Sequence, residues 1–486
     1  MHLNWPEPLP ADRLIYDPGD VFQAGERNHH ISNTAYPIAH EVTWGGYRVA
    51  SRERHPEIVA AAFQGVNELC LYAHIPFCER RCSFCEYTVV SGADLQRTDA
   101  YMQALYRELE EYQRLLGHRR LAGFDIGGGT PSYVPAEDIA ELLQRVARHW
   151  DLPASVAISI ETTPRIAAEQ PEKLAAYVRS GIRRISMGIQ VIQPDLLKML
   201  HRDGNGIEHH QRAVEHIRGA GFRDFNVDLM YGFAHQSLES WQATVEHALS
   251  LQPEAITLYR MRYKLTRISD QAPMVTLEQV RLQADWAKKR LREAGYWAPP
   301  GKNTFVLSGA QGPVHPTGTS DYISRRVVEG MPYLGLGLGA QTFTHHTISY
   351  NDGAVGKNLL PYLRAIEAGQ LPLQDLYHLP RIHMMAKMVC VSFYFGAVHR
   401  ASFLHKFGMA IERAYASAVE FAVRHGWMEL NPEYLAITEL GERHFSGLCA
   451  LFHAPSVQRH LLERDPDAAE DMKLHRKRAI RVAVER

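Results

Sequence analysis

Apolar positions along residues 68–261 switch repeatedly between short runs and a helical period, and this alternation predicts strands separated by helices. The predicted strands are Leu69–His74, Gly123–Ile126, Val156–Glu161, Arg184–Gln190, Asp224–Tyr231 and Ala255–Met261. The predicted helices are Asp99–Leu116, Ala136–His149, a helix through Leu174–Val178, a helix near His209–Ala220, and Leu238–Leu249. Such alternation is typical of parallel β/α architecture, and six strands are fewer than the eight of a closed barrel. We therefore expect an α/β fold with a partial, open (β/α)6 barrel.

Weaker patterns outside this region divide the chain into four predicted regions. Residues 1–66 are rich in Pro, His and Asn and show little periodicity, so we expect an irregular N-terminal extension packed on the main domain. The barrel is expected at 67–265, and a barrel-completing region at 266–375. Residues 376–486 are expected to form a small, helical, winged-helix-like C-terminal domain.

Four segments of the last two regions carry local signals. A helix is predicted at Leu277–Ala294. The stretch Gly335–Gln341 reads G-x-G-x-G rather than the G-x-G-x-x-G of a dinucleotide loop, so we expect a strand that backbone or ligand approaches closely. A short strand and turn are predicted at Leu435–Gly441, and the basic stretch Lys473–Arg486 is expected to be a solvated helix or tail.

Composition and charge exclude several classes of partner. The chain has 486 residues and a formal net charge of −1, so no overall attraction to nucleic acid or to an anionic membrane is expected. The first residues lack a basic start followed by an apolar run, and no stretch of about 18 apolar residues occurs, so neither a signal peptide nor a membrane span is expected. We therefore expect a reducing, cytoplasmic setting, with no nucleic-acid or membrane partner.

Three cysteines within eight residues follow the first predicted strand: Cys78, Cys82 and Cys85. Three neighbouring thiolates suit an iron–sulfur cluster, and a cubic four-iron cluster held by three thiolates keeps one iron open to a ligand. A structural zinc site would need a fourth ligand, and the next histidine is the distant His118. A disulfide framework would need many cysteines in a short secreted chain. The other cysteines are predicted to be buried apolar side chains: Cys70, Cys390 and Cys449.

Polar or glycine residues end the next four predicted strands, where loops of parallel β/α folds carry function. The run Gly127–Thr130 would let a ligand approach bare backbone, or would form an ordinary turn. Glu161 could bind a ligand ammonium or ribose hydroxyls, or cap a helix. Gln190 and Asp228 are either ligand contacts or satisfied hydrogen-bonding residues. Arg202 by itself would be a solvated helix charge.

Several segments together resemble one branch of the radical S-adenosylmethionine (SAM) family over nearly the whole chain. That branch contains oxygen-independent coproporphyrinogen III oxidase, the radical SAM heme chaperone, and the class C methyltransferases and cyclopropane-forming enzymes. The segments are the C-x3-C-x2-C cysteines within Tyr72–Cys85, and Gly127–Pro131, Ser186–Gln190, Asn226–Gly232 and Leu435–Gly441. The resemblance implies a radical SAM barrel and a [4Fe-4S] cluster. Its open iron would bind SAM, and one electron would release a 5′-deoxyadenosyl radical.

The resemblance also implies ligand contacts, position by position. The residues expected to contact the SAM on the cluster are Tyr72, Gly128, Glu161 and Phe343. The family holds a second SAM, and the residues that fall on its positions are Phe84, Gly129, Thr130, Gln190, Arg202, Asp228 and, through its backbone, Met261. The implied partners are a small-molecule substrate and an electron donor such as flavodoxin or ferredoxin.

Departures from the family pattern bear on the reaction. Glu86-Tyr87 stand where coproporphyrinogen oxidases have Gly-Cys, which disfavours decarboxylation and is nearer to the methyltransferase and cyclopropanase pattern. An extension of more than sixty residues before the first strand is not typical of heme chaperones. Arg260 and Arg262 depart from the strand that leads to the methyltransferase pocket; they could bind carboxylates, or pair with internal acids.

The predicted function is therefore radical SAM chemistry, with a second SAM used for methylation or cyclopropanation of a small organic substrate. One alternative is oxidative decarboxylation of coproporphyrinogen III. The other is a heme chaperone, for which His29-His30 and His345-His346 are the candidate heme contacts.

Overall fold

The computed structural model describes residues 3–29, 31–263, 266–307 and 319–464. A central sheet dominates this part of the chain, and its middle strands are parallel and lie in chain order. These strands are β1 Glu68–Ile75, β2 Arg120–Gly128, β3 Ile158–Thr162, β4 Ile182–Gln190, β5 Asp224–Tyr231 and β6 Ala255–Arg260. The six predicted strands are therefore confirmed, with shifts of a few residues at most of their ends.

Further strands extend this sheet on both sides and build a second, small sheet. They are β7 Tyr296–Trp297, β8 Thr304–Leu307, β9 Tyr333–Leu336, β10 Gln341–Phe343, β11 Thr347–Asn351, β12 Leu373–His378, β13 Ala397–His399, β14 Met428–Leu430 and β15 Tyr434–Ile437. The large sheet has the order β12-β11-β10-β9-β1-β2-β3-β4-β5-β6-β8-β7. Because β12 and β7 remain its edges, no hydrogen-bonded pair closes a barrel within the described residues, as the open barrel predicted.

Helices connect the strands and cover the sheet. They are α1 Pro18–Arg27, α2 His40–Thr43, α3 His55–Ala62, α4 Thr98–Leu116, α5 Ala136–His149, α6 Pro164–Glu169, α7 Pro171–Arg179, α8 Pro194–Met199, α9 Ile207–Ala220, α10 Leu238–Ser250, α11 Leu277–Glu293, α12 Asp321–Val328, α13 Leu359–Glu367, α14 Arg381–Ser392, α15 Arg400–Phe407, α16 Ile411–Ala414, α17 Ala416–Arg424, α18 Glu439–Glu442, α19 Phe445–Leu451 and α20 Pro455–Leu462. No helix in the described ranges has both the length and the apolar character needed to cross a membrane.

The main core lies between the parallel strands and their connecting helices. Helix α4 contributes an apolar stripe of the kind that its sequence predicts, with Met102, Leu105 and Leu109 fully buried. These side chains pack against strand residues such as Leu69 and Leu71. Each fully buried side chain of this size contributes about 1.5–3 kcal/mol through the area that it removes from water. The core thereby fixes the strands whose carboxyl ends carry the polar residues.

The N-terminal extension is more regular than its sequence predicts, because it contains α1 and α3. The Asp17 side chain caps α1 by accepting from the backbone N–H groups of Gly19 and Asp20. Phe22 of α1 stacks on Trp427 with 4.2 Å between ring centroids. Much of the extension thus packs on the C-terminal region, and these contacts join two segments that are far apart in sequence.

The C-terminal region combines the small sheet, in the order β13-β15-β14, with α15, α16 and α17. This is the arrangement of elements that the sequence predicted as winged-helix-like, with the strand expected near Leu435 present as β15. The glycine stretch 335–341 forms the end of β9 and a tight turn into β10. A Cβ on Gly335 would lie 2.3 Å from the Gln341 carbonyl oxygen, so the predicted close backbone approach is present. The predicted tail Lys473–Arg486 lies outside the described residues.

Candidate active site

A cavity of about 1090 Å³ opens at the carboxyl ends of the parallel strands. Its lining includes Cys78, Cys82 and Cys85 from the loop after β1, together with residues that end or follow β2 to β6. The predicted residues that line it are Tyr72, Phe84, Gly128, Gly129, Thr130, Glu161, Gln190, Arg202 and Asp228. Residues that are more than 150 positions apart in sequence therefore share one chamber.

Backbone hydrogen bonds hold the cysteine loop in place. The Cys78 N–H donates to the Val90 carbonyl at 3.0 Å, and the Val90 N–H donates back to the Pro76 carbonyl at 2.8 Å. Ser83, between the other two cysteines, donates its N–H to the Leu200 carbonyl at 3.1 Å. The loop is therefore fixed at its base and in its middle.

The three loop cysteines are free and partly exposed, whereas Cys70, Cys390 and Cys449 are free and buried, as predicted. Burial raises the pKa of the Cys78 thiol to about 12 and also raises the pKa of the Cys85 thiol. A bound metal would reverse this shift, because a coordinating thiol is deprotonated outright.

The donor set fits a cluster better than a single ion. Within the described ranges, no three Cys, His, Asp or Glu side chains surround a point where one metal ion could bind. A cubic cluster does not require such a point, because each thiolate binds a different iron. Three thiols on one loop, facing one chamber, are compatible with that geometry.

Two polar side chains contact the loop thiols. Arg202 donates from a guanidinium nitrogen to Cys82 Sγ at 3.4 Å and from another to the Gly188 carbonyl. Thr130 Oγ1 lies 3.5 Å from Cys78 Sγ. Arg202 is buried rather than a solvated helix charge, and it joins the cysteine loop to the end of β4.

The glycine run has a structural reason that differs from the one its sequence suggested. Gly128 has φ +126°, and a Cβ there would lie 2.8 Å from the His74 ring. A Cβ on Gly129 would lie 2.5 Å from the Pro76 carbonyl oxygen. A side chain at either position would therefore strike β1 or the cysteine loop behind the cavity wall. Close backbone packing explains these glycines, although both also line the cavity.

Two carboxyl groups face the cavity without an ion-pair partner among the described residues. Glu161 accepts from the Gly128 N–H at 3.2 Å, and Asp228 accepts from Ser186 Oγ at 2.9 Å and Asn226 Nδ2 at 2.8 Å. The Glu161 side chain is open to the cavity but enclosed by protein, and this desolvation, followed by the charge of Asp228, raises its pKa to about 7. Burial likewise raises the pKa of Asp228. A ligand with a positive charge or hydroxyl donors would compensate both groups.

Gln190 occupies a strained backbone position at the end of β4. Its φ is +70°, which is uncommon for a residue with a side chain, and the pairing of β4 with β5 slips by one residue there. Its Oε1 is buried and accepts no hydrogen bond from any described residue. The same holds for Arg202 Nε as a donor. An unsatisfied acceptor and an unsatisfied donor therefore sit beside each other at the cavity wall.

Tyr72 is held by a short relay behind the cysteines. His74 Nε2 lies 2.8 Å from the Thr88 carbonyl and donates to it, so its Nδ1 accepts from the Tyr72 hydroxyl at 3.1 Å. Burial lowers the pKa of His74 to about 4, so the ring stays neutral at pH 7. The relay fixes the Tyr72 hydroxyl at the edge of the chamber.

Two predicted contacts lie outside the cavity lining. Phe343 packs behind Tyr333, with 5.8 Å between ring centroids, and does not line the chamber. Met261 belongs to a small apolar cluster that Phe84 contacts, and its backbone N–H donates to the Tyr231 carbonyl at 2.8 Å. Only its carbonyl remains for the predicted backbone contact.

Of the other residues that the sequence singled out, the two arginines line the chamber and the described histidines do not. Arg262 pairs with Glu86 at 3.6 Å, whereas Arg260 forms no ion pair with a described residue and lines the cavity. His345 and His346 lie away from the chamber, where the ring of His346 contacts that of Trp5. His29 also lies away from it, and His30 lies outside the described residues.

Sequence reasoning missed the far wall of the cavity. Its residues are Arg326 on α12, Tyr333 at the start of β9, Lys387 in the middle of α14 and Tyr394 in the turn that follows α14. No motif or periodicity marks them, because each sits in a segment whose pattern predicts only an ordinary helix or strand. Lys387, a cation within the otherwise apolar stretch Met384–Val391, was the one available signal.

Comparisons with known proteins agree with this geometry. Residues 72–248 match the sequence model of the Radical SAM superfamily. The chain is 26% identical over 401 residues to the heme chaperone HemW of Escherichia coli, a match that covers 79% of this chain and 98% of that protein. It is 31% identical over 192 residues to the oxygen-independent coproporphyrinogen III oxidase of Escherichia coli, covering 39% of this chain and 41% of that protein. Other matches to relatives of both kinds span about half of the relative's length.

The fold has a solved counterpart. The structure described as coproporphyrinogen III oxidase (HemN) from Escherichia coli, a radical SAM enzyme, superposes with a TM-score of 0.71 at 21% identity. The superposition covers 86% of this chain and 96% of that chain. Residues 72–248 therefore form a radical SAM domain, a family that implies a [4Fe-4S] cluster and SAM, and the chain is a relative of the heme chaperones and the oxygen-independent coproporphyrinogen III oxidases.

Proposed function

We propose that this protein is a radical SAM enzyme that holds two SAM molecules beside one cluster and transfers carbon from the second to a small organic substrate. The observation that carries the proposal is the chamber itself. Its volume of about 1090 Å³ exceeds the range of about 300–1,000 Å³ that is usual for a pocket holding one small ligand. Its wall also offers two polar groups to a ligand: the Glu161 carboxyl, which has no ion-pair partner among the described residues, and Gln190 Oε1, which accepts no hydrogen bond from them.

The cysteine side of the chamber would hold the cluster and the first SAM. Cys78, Cys82 and Cys85 would bind three irons, and when bound the cluster and SAM supply a 5′-deoxyadenosyl radical and methionine. The Glu161 carboxylate would accept from the ligand's ammonium or ribose hydroxyls, which compensates its desolvation. The Tyr72 hydroxyl stands at the same side, fixed by His74.

The second SAM would use polar groups on and after β4 and on β5. Gln190 Oε1 and Arg202 Nε lack hydrogen-bond partners in the described part of the chain, and Asp228 lies within β5, opposite Gly188 of β4. The Phe84 ring packs at the edge of the apolar cluster beside them and offers a face for an adenine. A sulfonium near the Asp228 carboxylate would favour its charged form and offset its burial.

Stoichiometry tests this assignment without knowledge of the substrate. Equilibrium dialysis of labelled SAM against the anaerobically reconstituted protein should give two SAM molecules per chain. Glu161→Ala and Asp228→Ala should each reduce the number to one, and Glu161→Ala should also abolish 5′-deoxyadenosine formation. One SAM per wild-type chain would contradict the second site.

Porphyrinogen decarboxylation is the second candidate, because the relatives include coproporphyrinogen III oxidases. Anaerobic turnover with a reductant, methyl-labelled SAM and either coproporphyrinogen III or metabolites from neighbouring genes separates the two. Carbon transfer should produce S-adenosylhomocysteine together with 5′-deoxyadenosine and place the label in the product. Carbon dioxide release from coproporphyrinogen III without S-adenosylhomocysteine would establish decarboxylation instead, and heme binding without either product would establish a chaperone.

A further inference from the structure

Two cationic side chains line a part of the chamber wall that carries none of the predicted cluster or SAM contacts. Arg326 lies on α12 and Lys387 on α14, and these two helices pack against each other. Lys387 is 7% exposed, and Arg326 is partly buried. Both lie after residue 319, outside the residues that match the radical SAM family.

Neither cation has an acidic partner. No carboxylate of the described residues forms an ion pair with Arg326 or Lys387; Lys387 Nζ donates to the Tyr36 carbonyl at 2.8 Å, and Arg326 donates to the Tyr322 hydroxyl at 3.1 Å. Arg326 Nε is buried and has no hydrogen-bond partner among the described residues. Burial and the nearby Arg326 charge lower the pKa of Lys387 to about 8. Unpaired buried charges are costly, and they occur where a ligand supplies the counter-charge.

Both side chains are nonetheless fixed in position. The Arg326 guanidinium lies 5.3 Å from the ring centroid of Tyr322 and 5.2 Å from that of Tyr333, so the two rings flank it. Lys387 is tethered through its bond to Tyr36, in the N-terminal extension. The two cations are therefore preorganised, and a ligand would lose little binding energy to ordering them.

Acidic and basic side chains occupy different parts of the chamber wall. The carboxyl groups of Glu161 and Asp228 lie on β3 and β5, while Arg326 and Lys387 lie on the wall built by α12 and α14. Tyr394 also lines the chamber. A molecule that reaches from the cations to the cysteine loop would place an anionic group at the cations and its reacting carbon near the cysteines.

We propose that Arg326 and Lys387 form the binding site for an oxyanion of the substrate, a carboxylate or a phosphate. The planar guanidinium matches either group through paired hydrogen bonds, and the ammonium adds a point charge. Calling this anion part of the substrate rests on the proposed function, since it requires radical chemistry at the other end of the chamber. The binding of an anion at these two residues does not.

Anion binding can be measured directly on the reconstituted protein. Isothermal titration with glutarate and, separately, with inorganic phosphate, at constant ionic strength in chloride, is expected to show one site for at least one of these anions. Arg326→Met and Lys387→Met should each weaken that binding at least tenfold, and Arg326→Lys should weaken it less than Arg326→Met. Arg325→Met, on the same helix but exposed and paired with Glu329, should leave it unchanged. The stronger of the two anions identifies a carboxylate or a phosphate substrate.

Two results would overturn the proposal. One is the absence of binding by either anion to the wild-type protein. The other is an unchanged affinity in the Lys387→Met or Arg326→Met proteins alongside a lowered melting temperature, which would give the cations a purely structural role. Neither result depends on SAM cleavage. Loss of 5′-deoxyadenosine formation with anion binding intact would therefore count against the proposed function alone.

Discussion

The Arg202 guanidinium is the one charged group of the described residues that hydrogen-bonds to a sulfur of the cysteine loop, at 3.4 Å from Cys82 Sγ. Hydrogen bonds to cluster sulfurs and nearby positive charge both favour the reduced, more negative cluster. Arg202 therefore bears on how easily an electron enters the site, in addition to its predicted contact with the second SAM.

Replacing this residue should make the cluster harder to reduce. We expect Arg202→Gln to shift the midpoint potential of the [4Fe-4S] couple to a more negative value, measured by a redox titration followed by electron paramagnetic resonance. A tenfold change in a one-electron equilibrium corresponds to about 59 mV. Arg202→Lys keeps the charge and should shift the potential less. An unchanged potential in Arg202→Gln would mean that the N–H to sulfur contact is absent from the loaded protein.

The cysteine assignment has a matched control in the same chain. Cys78→Ala, Cys82→Ala and Cys85→Ala should each lose iron and sulfide after anaerobic reconstitution, because each removes one of three thiolates. Cys70→Ala should retain both, since that thiol is buried in β1 and contacts Met331 rather than the chamber. Full iron content in any of the three loop variants would contradict the assignment.

Glu161 should give SAM binding a pH dependence. Its pKa is raised to about 7 by desolvation, so the carboxylate that accepts from an ammonium forms only as the pH rises through that value. SAM affinity of the wild-type protein should therefore increase between pH 6 and pH 8, and that of Glu161→Gln should stay level. Loss of one hydrogen bond to a charged group costs about 1.5–3 kcal/mol, hence about tenfold or more in affinity at pH 8. Parallel pH profiles would refute the role.

At the scale of elements, a buried network fastens the N-terminal extension to α14. The Asp12 carboxylate accepts from His383 Nε2 at 2.9 Å and from the Tyr47 hydroxyl at 2.7 Å, and the Trp44 indole donates to His383 Nδ1 at 2.9 Å. Asp12 and His383 are both buried. The extension is therefore tied to the helix that carries Lys387, which lies about one turn after His383.

Removing the charge of Asp12 should loosen this attachment. Burial alone would raise the pKa of Asp12, but the hydrogen bonds from His383, Ser456 and Tyr47 outweigh it and hold the pKa below 3.8. The stabilisation is therefore present above pH 3.8 and is lost as the pH falls through the lower, folded-state value. We expect Asp12→Asn to reduce the free energy of unfolding by about 1.5–3 kcal/mol at pH 7.

Denaturant unfolding at pH 7 measures this effect, with the exposed Asp20→Asn in the same extension as control. The control should stay within about 0.5 kcal/mol of the wild type. Equal stabilities of the Asp12→Asn and Asp20→Asn proteins would show that the network contributes nothing to holding the extension.

The elements that could be predicted from sequence are those whose signal is local. The parallel strands and α5 follow from apolar runs and a helical period, and α5 begins and ends at the predicted residues, Ala136 and His149. The extension was not predicted as helical, because α1 owes its place to contacts with residues more than 400 positions away, such as Trp427. The local sequence pattern does not encode contacts between residues that are so far apart.

The residues of the candidate site differ in the same respect, since local sequence marks some of them and not others. The cysteines and the polar strand ends could be found because one rule places the loops of parallel strands at one edge of the sheet. The reason for Gly128 could not, since it depends on the distance to His74 on the neighbouring strand. Arg326 and Lys387 could not either, because they meet only when α12 and α14 pack together.

At the scale of the whole molecule, the chamber combines groups of opposite charge from two separate regions of the chain. Cys78 to Asp228 come from the family-matched residues 72–248, and Arg326 to Tyr394 come from the later region. Because the acids and the cations are not paired with each other, their fields act on a ligand rather than cancelling within the wall.

The open sheet order gives this arrangement a consequence for descent. Since β12 and β7 stay unjoined, the strands beyond β1 and β6 can be rebuilt without breaking the pairing of β1 to β6. Several relatives align over only about half of their own length. A sheet with two free edges can gain or lose flanking strands while its parallel centre stays paired, so descendants of one such sheet can differ in their flanking segments and still keep the strands that carry the cysteine loop and the polar strand ends.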